Sequence, residues 1–292
     1  MHTRKFSTSD FFIIAFLSLL AIISAFPFYN VFILSFGNAA EIAKHQIYLI
    51  PSSFDLRTYE FIFENGKMVN AMFVTIFITV VGTAFSMLLT ISAGYALTKK
   101  TLPGQKFSML FIIFTMFFSG GLIPYYLTIK NIYLVNSILV MIIPMAMNAF
   151  YLMVIIAFFR AIPPELEESA KIDGANDIHI LFRIIVQVSM PTIATLSLFY
   201  AVDRWNEWWH GMLFIKDMNK YPLQLMLREL LMNYQQMMQG DIGASMALSK
   251  AQVYPENLKM AIIMVASLPI LMVYPFLQKY FAKGIMIGAI KG

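Results

Sequence analysis

The residues able to do chemistry gather between Arg160 and Arg183, in the stretch R-A-I-P-P-E-L-E-E-S-A-K-I-D-G-A-N-D-I-H-I-L-F-R. Glu165, Glu167 and Glu168 follow Pro163-Pro164 at once. Proline suits a helix's first turn, where a missing N–H costs nothing, and carboxylates there meet the positive end of the helix dipole. Lys171 lies four residues after Glu167, the spacing of a helical ion pair. Asp173-Gly174 then stops the helix, because glycine tolerates the left-handed conformation of a helix end. Asn176 or Asp177 can cap a second helix, whose Ile178, Leu181, Phe182 and Ile185 recur at i, i+3, i+4 and i+7 as one apolar face. The chemistry of such a segment is docking. A helix, a glycine turn and a second helix, flanked by apolar runs, offer a soluble partner a shape to grip. Taken alone, Glu168 is equally a first-turn carboxylate of the kind worth about 0.3–1 kcal/mol at any helix start.

Catalytic constellations are missing from the sequence. There is no cysteine, which excludes disulfides, thiolate catalysis and cysteine-based zinc sites. His2, His45, His179 and His210 are scattered without metal-ligand spacing. No G-x-x-x-x-G-K-[ST] loop or G-x-S-x-G elbow occurs, so phosphate cradling and serine hydrolysis are not built in.

The elements that must position the docking segment are membrane spans. Hydrophobic residues make up 59% of the 292 and charged residues 13%, about half the charge of a soluble domain. The net charge of +5 is explained by positive cytoplasmic loops and requires no nucleic acid. Apolar runs read as spans extend over about Phe11–Phe36, Val69–Leu97, Phe107–Thr128, Ser137–Phe159, Val188–Val202 and Lys259–Phe281. Six spans predict an all-α integral membrane protein with both termini in the cytoplasm. Residues 1–10 form a tail and 11–282 the transmembrane domain, with the docking loop at 160–183 and an external loop at 206–257. Residues 283–292 form a second cytoplasmic tail. About half the Lys and Arg fall on the cytoplasmic side, in short segments, which supports this orientation by density.

Within the spans, Gly120-Gly121 and Pro124 read equally as cavity-lining breaks or ordinary kinks. Trp205, Trp208 and Trp209 read as an interfacial belt, with a sugar-stacking platform as the sharper alternative. Pro222 to Met238 forms an external amphipathic helix. The expected membrane centres hold no Asp, Glu, Lys or Arg, since Asp203 and Arg204 fall at a span's end. Carriers coupled to ions keep ionisable groups at mid-depth, so the driving energy is expected from elsewhere. An ATP-independent secondary carrier or channel for small polar solutes is the alternative reading, and a membrane-embedded enzyme the third.

E-S-A-K-I-D-G with Ile184 resembles the EAA loop of ABC importer permeases: Glu-Ala-Ala, three residues, Gly, nine residues, then Ile-x-Leu-Pro. Glu168, Ser169, Ala170, Gly174 and Ile184 fill those positions, while Val186-Gln187 replaces Leu-Pro and Pro191 follows. Nearly the whole chain is similar to maltose-type sugar permeases. The segments Y-P-L-Q-L-M-L-R-E-L-L and the run from Leu258 to the C-terminus look like the subgroup importing oligosaccharides such as aldouronate and alginate fragments. The resemblance implies the type I importer permease fold in a bacterial inner membrane. It implies that Glu167, Glu168, Ser169, Ala170, Asp173, Gly174 and Ala175 couple to ATPase subunits, Glu168 pairing with a basic group there. By the same likeness this chain binds no cofactor, ATP and Mg residing on the ATPases. The implied partners are a second, similar permease, two ATPase copies and an extracytoplasmic solute-binding protein touched by 211–257, while the C-terminal tail reaches the ATPases. Tyr125, Tyr126 and Asn148 are the substrate-path candidates.

Overall fold

The structure is a computed structural model and describes residues 8–37, 54–64, 66–238 and 256–272. The N-terminal tail through residue 7, the loop portions 38–53 and 239–255, the end of the expected last span and the 283–292 tail lie outside the described residues. No strand occurs among the described residues.

Helix α1 (Thr8–Ser35) carries apolar side chains on every side and exposes them, as a lipid-facing helix does. After α2 (Arg57–Phe63) comes the longest helix, α3 (Lys67–Thr98). Both long helices match the first two expected spans. The third does not run through: α4 (Gln105–Phe117) ends, Phe118–Gly121 is irregular, and α5 (Leu122–Asn131) begins again. Gly121 stands at φ +85° as the α5 N-cap and Pro124 falls in the first turn, where no intrahelical N–H is needed. The fourth expected span is also broken. A 3₁₀ turn (Ile138–Met141) and irregular backbone through Met147 precede α6 (Ala149–Arg160). Asn148 caps α6, its side chain accepting from the Phe150 and Tyr151 N–H groups at 2.9 and 3.2 Å.

The chain continues through α7 (Pro164–Ile172), α8 (Asp177–Val188) and α9 (Met190–Trp205). Then follow α10 (Trp209–Phe214), α11 (Leu223–Met238), where an amphipathic helix was expected, and α12 (256–272). Among the described residues two helices, Ser9–Ser35 and Lys67–Thr98, are long and apolar enough to cross a membrane singly. The total is four when the bent pairs α6–α7 and α8–α9 each count as one span.

Residues 1–66 with 227–271, and 67–226 with 272–292, form two units. In the first, Asn257 Nδ2 donates to the carbonyls of Leu34, at 3.2 Å, and Gly37, tying α12 to the end of α1. Tyr59 donates to Ser35 Oγ at 2.8 Å and its ring stacks on Phe36. In the second unit, α3 lies against α6 and α9. The approach is closest at Gly94, where a Cβ would come within 2.6 Å of Ile155 Cγ2.

α9 runs three residues past the expected end of its span. Arg204 therefore lies inside the helix, 1% exposed, with its guanidinium beside Gly82 and Ser86 near the middle of α3. Arg204 stands in the last turn of α9, as expected of a span's end, yet it is buried and hydrogen-bonded against α3. The reason is local: the irregular stretch after Ile138–Met141 leaves carbonyls without helical partners, and apolar surroundings demand that they be satisfied. Arg204 Nη1 donates to Met141 O at 2.9 Å; Nη2 donates to Ile142 O at 3.3 Å, Met145 O at 2.5 Å and Ser86 Oγ at 3.0 Å. Arg204→Met removes those donors, and each carbonyl left bare costs about 1–3 kcal/mol. Arg204→Lys keeps the charge but not the planar fork. Melting temperatures of the purified protein are expected in the order wild type, Arg204→Lys, Arg204→Met; a Met variant that melts with the wild type would refute this role.

Candidate functional site

The docking segment is built as its residue types dictate. Pro163 and Pro164 open α7, and Glu165 and Glu167 fall in its first turn. At the far end Gly174 N donates to Lys171 O at 3.0 Å and Ala175 N to Ala170 O at 2.9 Å, the paired closure of a Schellman end. Gly174 sits at φ +82° with open space around it, so the demand for glycine is purely conformational. Asn176 caps α8 by accepting from His179 N at 2.8 Å. Helix α6 meets α7 at 71°, and α8 meets α9 at 88° around Ser189, with Pro191 in the first turn of α9. The sharp bend thus forms with Val186-Gln187 in place.

Two carboxylates that are neighbours in sequence face different ways. Glu167 turns inward, accepting from Lys171 at 2.9 Å and from Lys99, just past the end of α3. Lys99 also lies over the Tyr95 ring, 3.9 Å from its centroid. Partial burial pushes the Glu167 carboxyl up, but the hydrogen bonds and charges of Lys99 and Lys171 outweigh it and hold the group below its ordinary value. The bond to Glu167 raises the Lys171 ammonium in turn. Glu168 is exposed and makes no ion pair among the described residues. Ser169 and Asp173 are exposed beside it, Ala170 is buried, and Ala175 is half-buried against the apolar cluster of α3, α6 and α9.

The apolar face of the second helix differs from the expected one. Ile180, Leu181 and Ile185 are buried, while Ile178 is 70% and Phe182 43% exposed. The cause is a π-helical turn over Leu181–Ile185, which widens the repeat and rotates the face. With Ile172, 86% exposed, Ile178 and Phe182 leave three large apolar side chains exposed on α7–α8.

Of the substrate-path candidates, the structure separates what the sequence grouped. Tyr126 stacks on Phe214 at 5.4 Å within an apolar cluster, and Asn148 spends its side-chain oxygen on the α6 cap. Tyr125 lines a pocket of about 520 Å³ beside Gly120, Gly121 and Trp209. The sequence reading missed Glu207 and His210 as a buried pair. His210 donates to Glu207 from its backbone N at 2.7 Å and from Nδ1 at 3.1 Å, and its Nε2 lies 2.8 Å from the Tyr125 hydroxyl. The available signal was the three-residue spacing of Arg204, Glu207 and His210 in D-R-W-N-E-W-W-H, which sets them on one side of the chain's path.

Long apolar helices, broken ones that bound a pocket, and a polar helix–glycine–helix turned outward together define a membrane transport subunit. No protein-family model matches the chain. It is 42% identical over 293 residues, 100% of both chains, to the polygalacturonan/rhamnogalacturonan transport system permease protein YtcP of Bacillus subtilis (strain 168). It is 41% identical over 295 residues to Protein LplC of the same organism, covering 100% of this chain and 98% of the relative. Among solved structures, a bacterial ABC transporter involved in the import of the acidic polysaccharide alginate superposes with a TM-score of 0.84. That match has 29% identity and covers 96% of this chain and 100% of the other. The chain belongs to the sugar permeases of ABC transporters.

The inward pairing of Glu167 has a pH signature. A carboxyl held low in the folded state contributes stability above its unfolded value, about 4.3, and loses it as pH falls through the folded value. Amide exchange over residues 164–176 is expected to speed up as pH drops below that window, after correction for intrinsic rates. In Glu167→Gln it should be roughly two- to fivefold faster at pH 7 and lack the acid step, in keeping with the ~0.2–1 kcal/mol of a partly exposed ion pair. Identical exchange in the two proteins at pH 7 would show that the tie to α3 is not formed.

Proposed function

We propose that this chain is one of two similar permease subunits of a binding-protein-dependent importer in a bacterial inner membrane, driven by ATP hydrolysis on separate ATPase subunits. The observation that carries the reading is the division of labour in α7–α8. Glu167, Ala170, Ile180 and Leu181 hold the segment to the bundle, while Glu168, Ile172, Ile178 and Phe182 face away. Inward groups transmit force and outward groups receive it. ATP and Mg belong to a pair of ATPases, and closure of their dimer pushes on this segment. An extracytoplasmic solute-binding protein delivers cargo at the opposite side, over the 206–257 loop. Six spans over 11–282, flanked by the 1–10 and 283–292 tails, place both termini and the 160–183 segment in the cytoplasm. Pairing of Lys99 with Glu167 supports this, since it sets the positively charged exit of α3 at the same end as the docking segment.

For the cargo we propose oligosaccharides from polysaccharide breakdown, uronate-containing chains among them. Support comes from relatives named for polygalacturonan and rhamnogalacturonan transport and from the alginate importer. Tyr125 is the best placed of the path residues; Tyr126 and Asn148 act through the walls and the helix break.

Gly174→Val forces a β-branched residue into a left-handed position, with no steric neighbour to confuse the result. In proteoliposomes holding the full complex, substrate-stimulated ATP hydrolysis and oligosaccharide uptake are both expected to fall about tenfold or more, while the subunits still copurify. Uptake at the wild-type rate per ATP hydrolysed would remove the docking role.

A further inference from the structure

The pocket beside α5 carries more information than its location. Its volume, about 520 Å³, falls in the range of small-molecule sites, roughly 300–1,000 Å³. Two aromatic side chains from distant parts of the chain meet there. The rings of Tyr125 and Trp209 lie 5.9 Å apart at 34°, and Trp209 remains 37% exposed. The polar groups of the wall have been only partly used. Ser119 Oγ accepts from Gly121 N at 3.3 Å, which leaves its O–H to donate. Thr128 donates to Pro124 O at 2.9 Å, which leaves its oxygen to accept.

Tyr125 is set by the pair behind it. Glu207, 4% exposed, lies 3.1 Å from Nδ1 of His210, whose Nε2 stands 2.8 Å from the Tyr125 hydroxyl and fixes its position. With one partner at His210, the Tyr125 hydroxyl keeps a hydrogen-bonding position for a ligand. No residue lining the pocket is charged, and the nearest ionic group behind Tyr125 is the Glu207 carboxylate. An anion is therefore unwelcome.

Aromatic faces for polarised C–H bonds, an edge of hydroxyl donors and acceptors, and no cation together describe the two faces of a sugar ring. We infer that Tyr125 and Trp209 form a subsite for one uncharged pyranose residue of the transported oligosaccharide, and that Glu207 and His210 position the Tyr125 hydroxyl for it. The inference rests on the importer reading above and narrows it: the carboxylates of a uronate-containing chain point away from this pocket.

The test uses the assembled transporter in nanodiscs, titrated with galactotriose and with trigalacturonate. Trp209 emission is read as the wild-type signal minus that of Trp209→Phe. Galactotriose should quench it saturably, and trigalacturonate at least about fivefold more weakly. In proteoliposomes Trp209→Leu should raise the KM of uptake about tenfold and Tyr125→Phe about threefold, the change falling on KM. Equal or stronger quenching by trigalacturonate overturns the preference for an uncharged ring. A Trp209→Leu transporter that loses its companion permease on purification makes the pocket a subunit contact and overturns the subsite. Normal wild-type uptake with KM unmoved in both variants overturns the subsite alone. Absence of ATP-dependent uptake of any oligosaccharide by the wild type overturns the importer reading itself.

Discussion

A guanidinium buried among carbonyls is the constraint on which residues 67–226 turn. Arg204 satisfies three carbonyls of the broken stretch after Ile138–Met141 while lying against Gly82 and Ser86 of α3. Glycine at 82 is required by contact, since a Cβ there would meet Arg204 Nε at 3.0 Å. A cation in apolar surroundings is tolerated when it is hydrogen-bonded, and here three backbone carbonyls and Ser86 serve the two terminal nitrogens. The arrangement supplies donors to carbonyls where the helix stops and restarts.

Arg204 also stands at the seam between two apolar clusters along α3. One uses Val74 and Ile78 together with Ile129, Val140 and Phe214; the other uses Met87, Ile91, Tyr95 and Leu97 with α6 and the docking segment. The first cluster holds the wall behind Tyr125 and Tyr126, and the second holds the floor under Ala170, Ile180 and Leu181. Tyr200 adds a second polar stitch near the seam. Its hydroxyl lies 2.8 Å from Thr90 Oγ1 and accepts from Asn148 N at 3.0 Å, so the α6 cap is fixed from α9 as well. The wall behind Tyr125 and the 160–183 segment are thus two ends of one packed body.

Much of this was legible in residue types. Pro163-Pro164, the Glu167–Lys171 spacing, Gly174 and Asn176 declared the helix–turn–helix because caps and ion pairs are local, and local rules need no tertiary knowledge. The long helices α1 and α3 followed from uninterrupted apolar runs. The breaks at Phe118–Gly121 and around Pro144 did not: hydropathy is blind to whether an apolar stretch is helical throughout, and Gly120-Gly121 admitted two readings. The buried face of α8 was misjudged because a π turn changes the repeat that periodicity assumes. Arg204 stands at a helix end as expected, but its burial was not legible, because its partners are chiefly carbonyls, which leave no trace in a sequence of side chains. The approach of Trp209 to Tyr125 was likewise invisible, as 84 positions separate them.

The tie between Lys99 and Glu167 has a mechanical corollary. It fastens the docking segment to the end of a single uninterrupted helix of 32 residues, about 48 Å long at 1.5 Å per residue. A shift imposed at one end of so stiff a strut arrives at the far end with little loss. A push delivered at Lys99 would therefore reach the Lys67 end of α3 without any hinge in between.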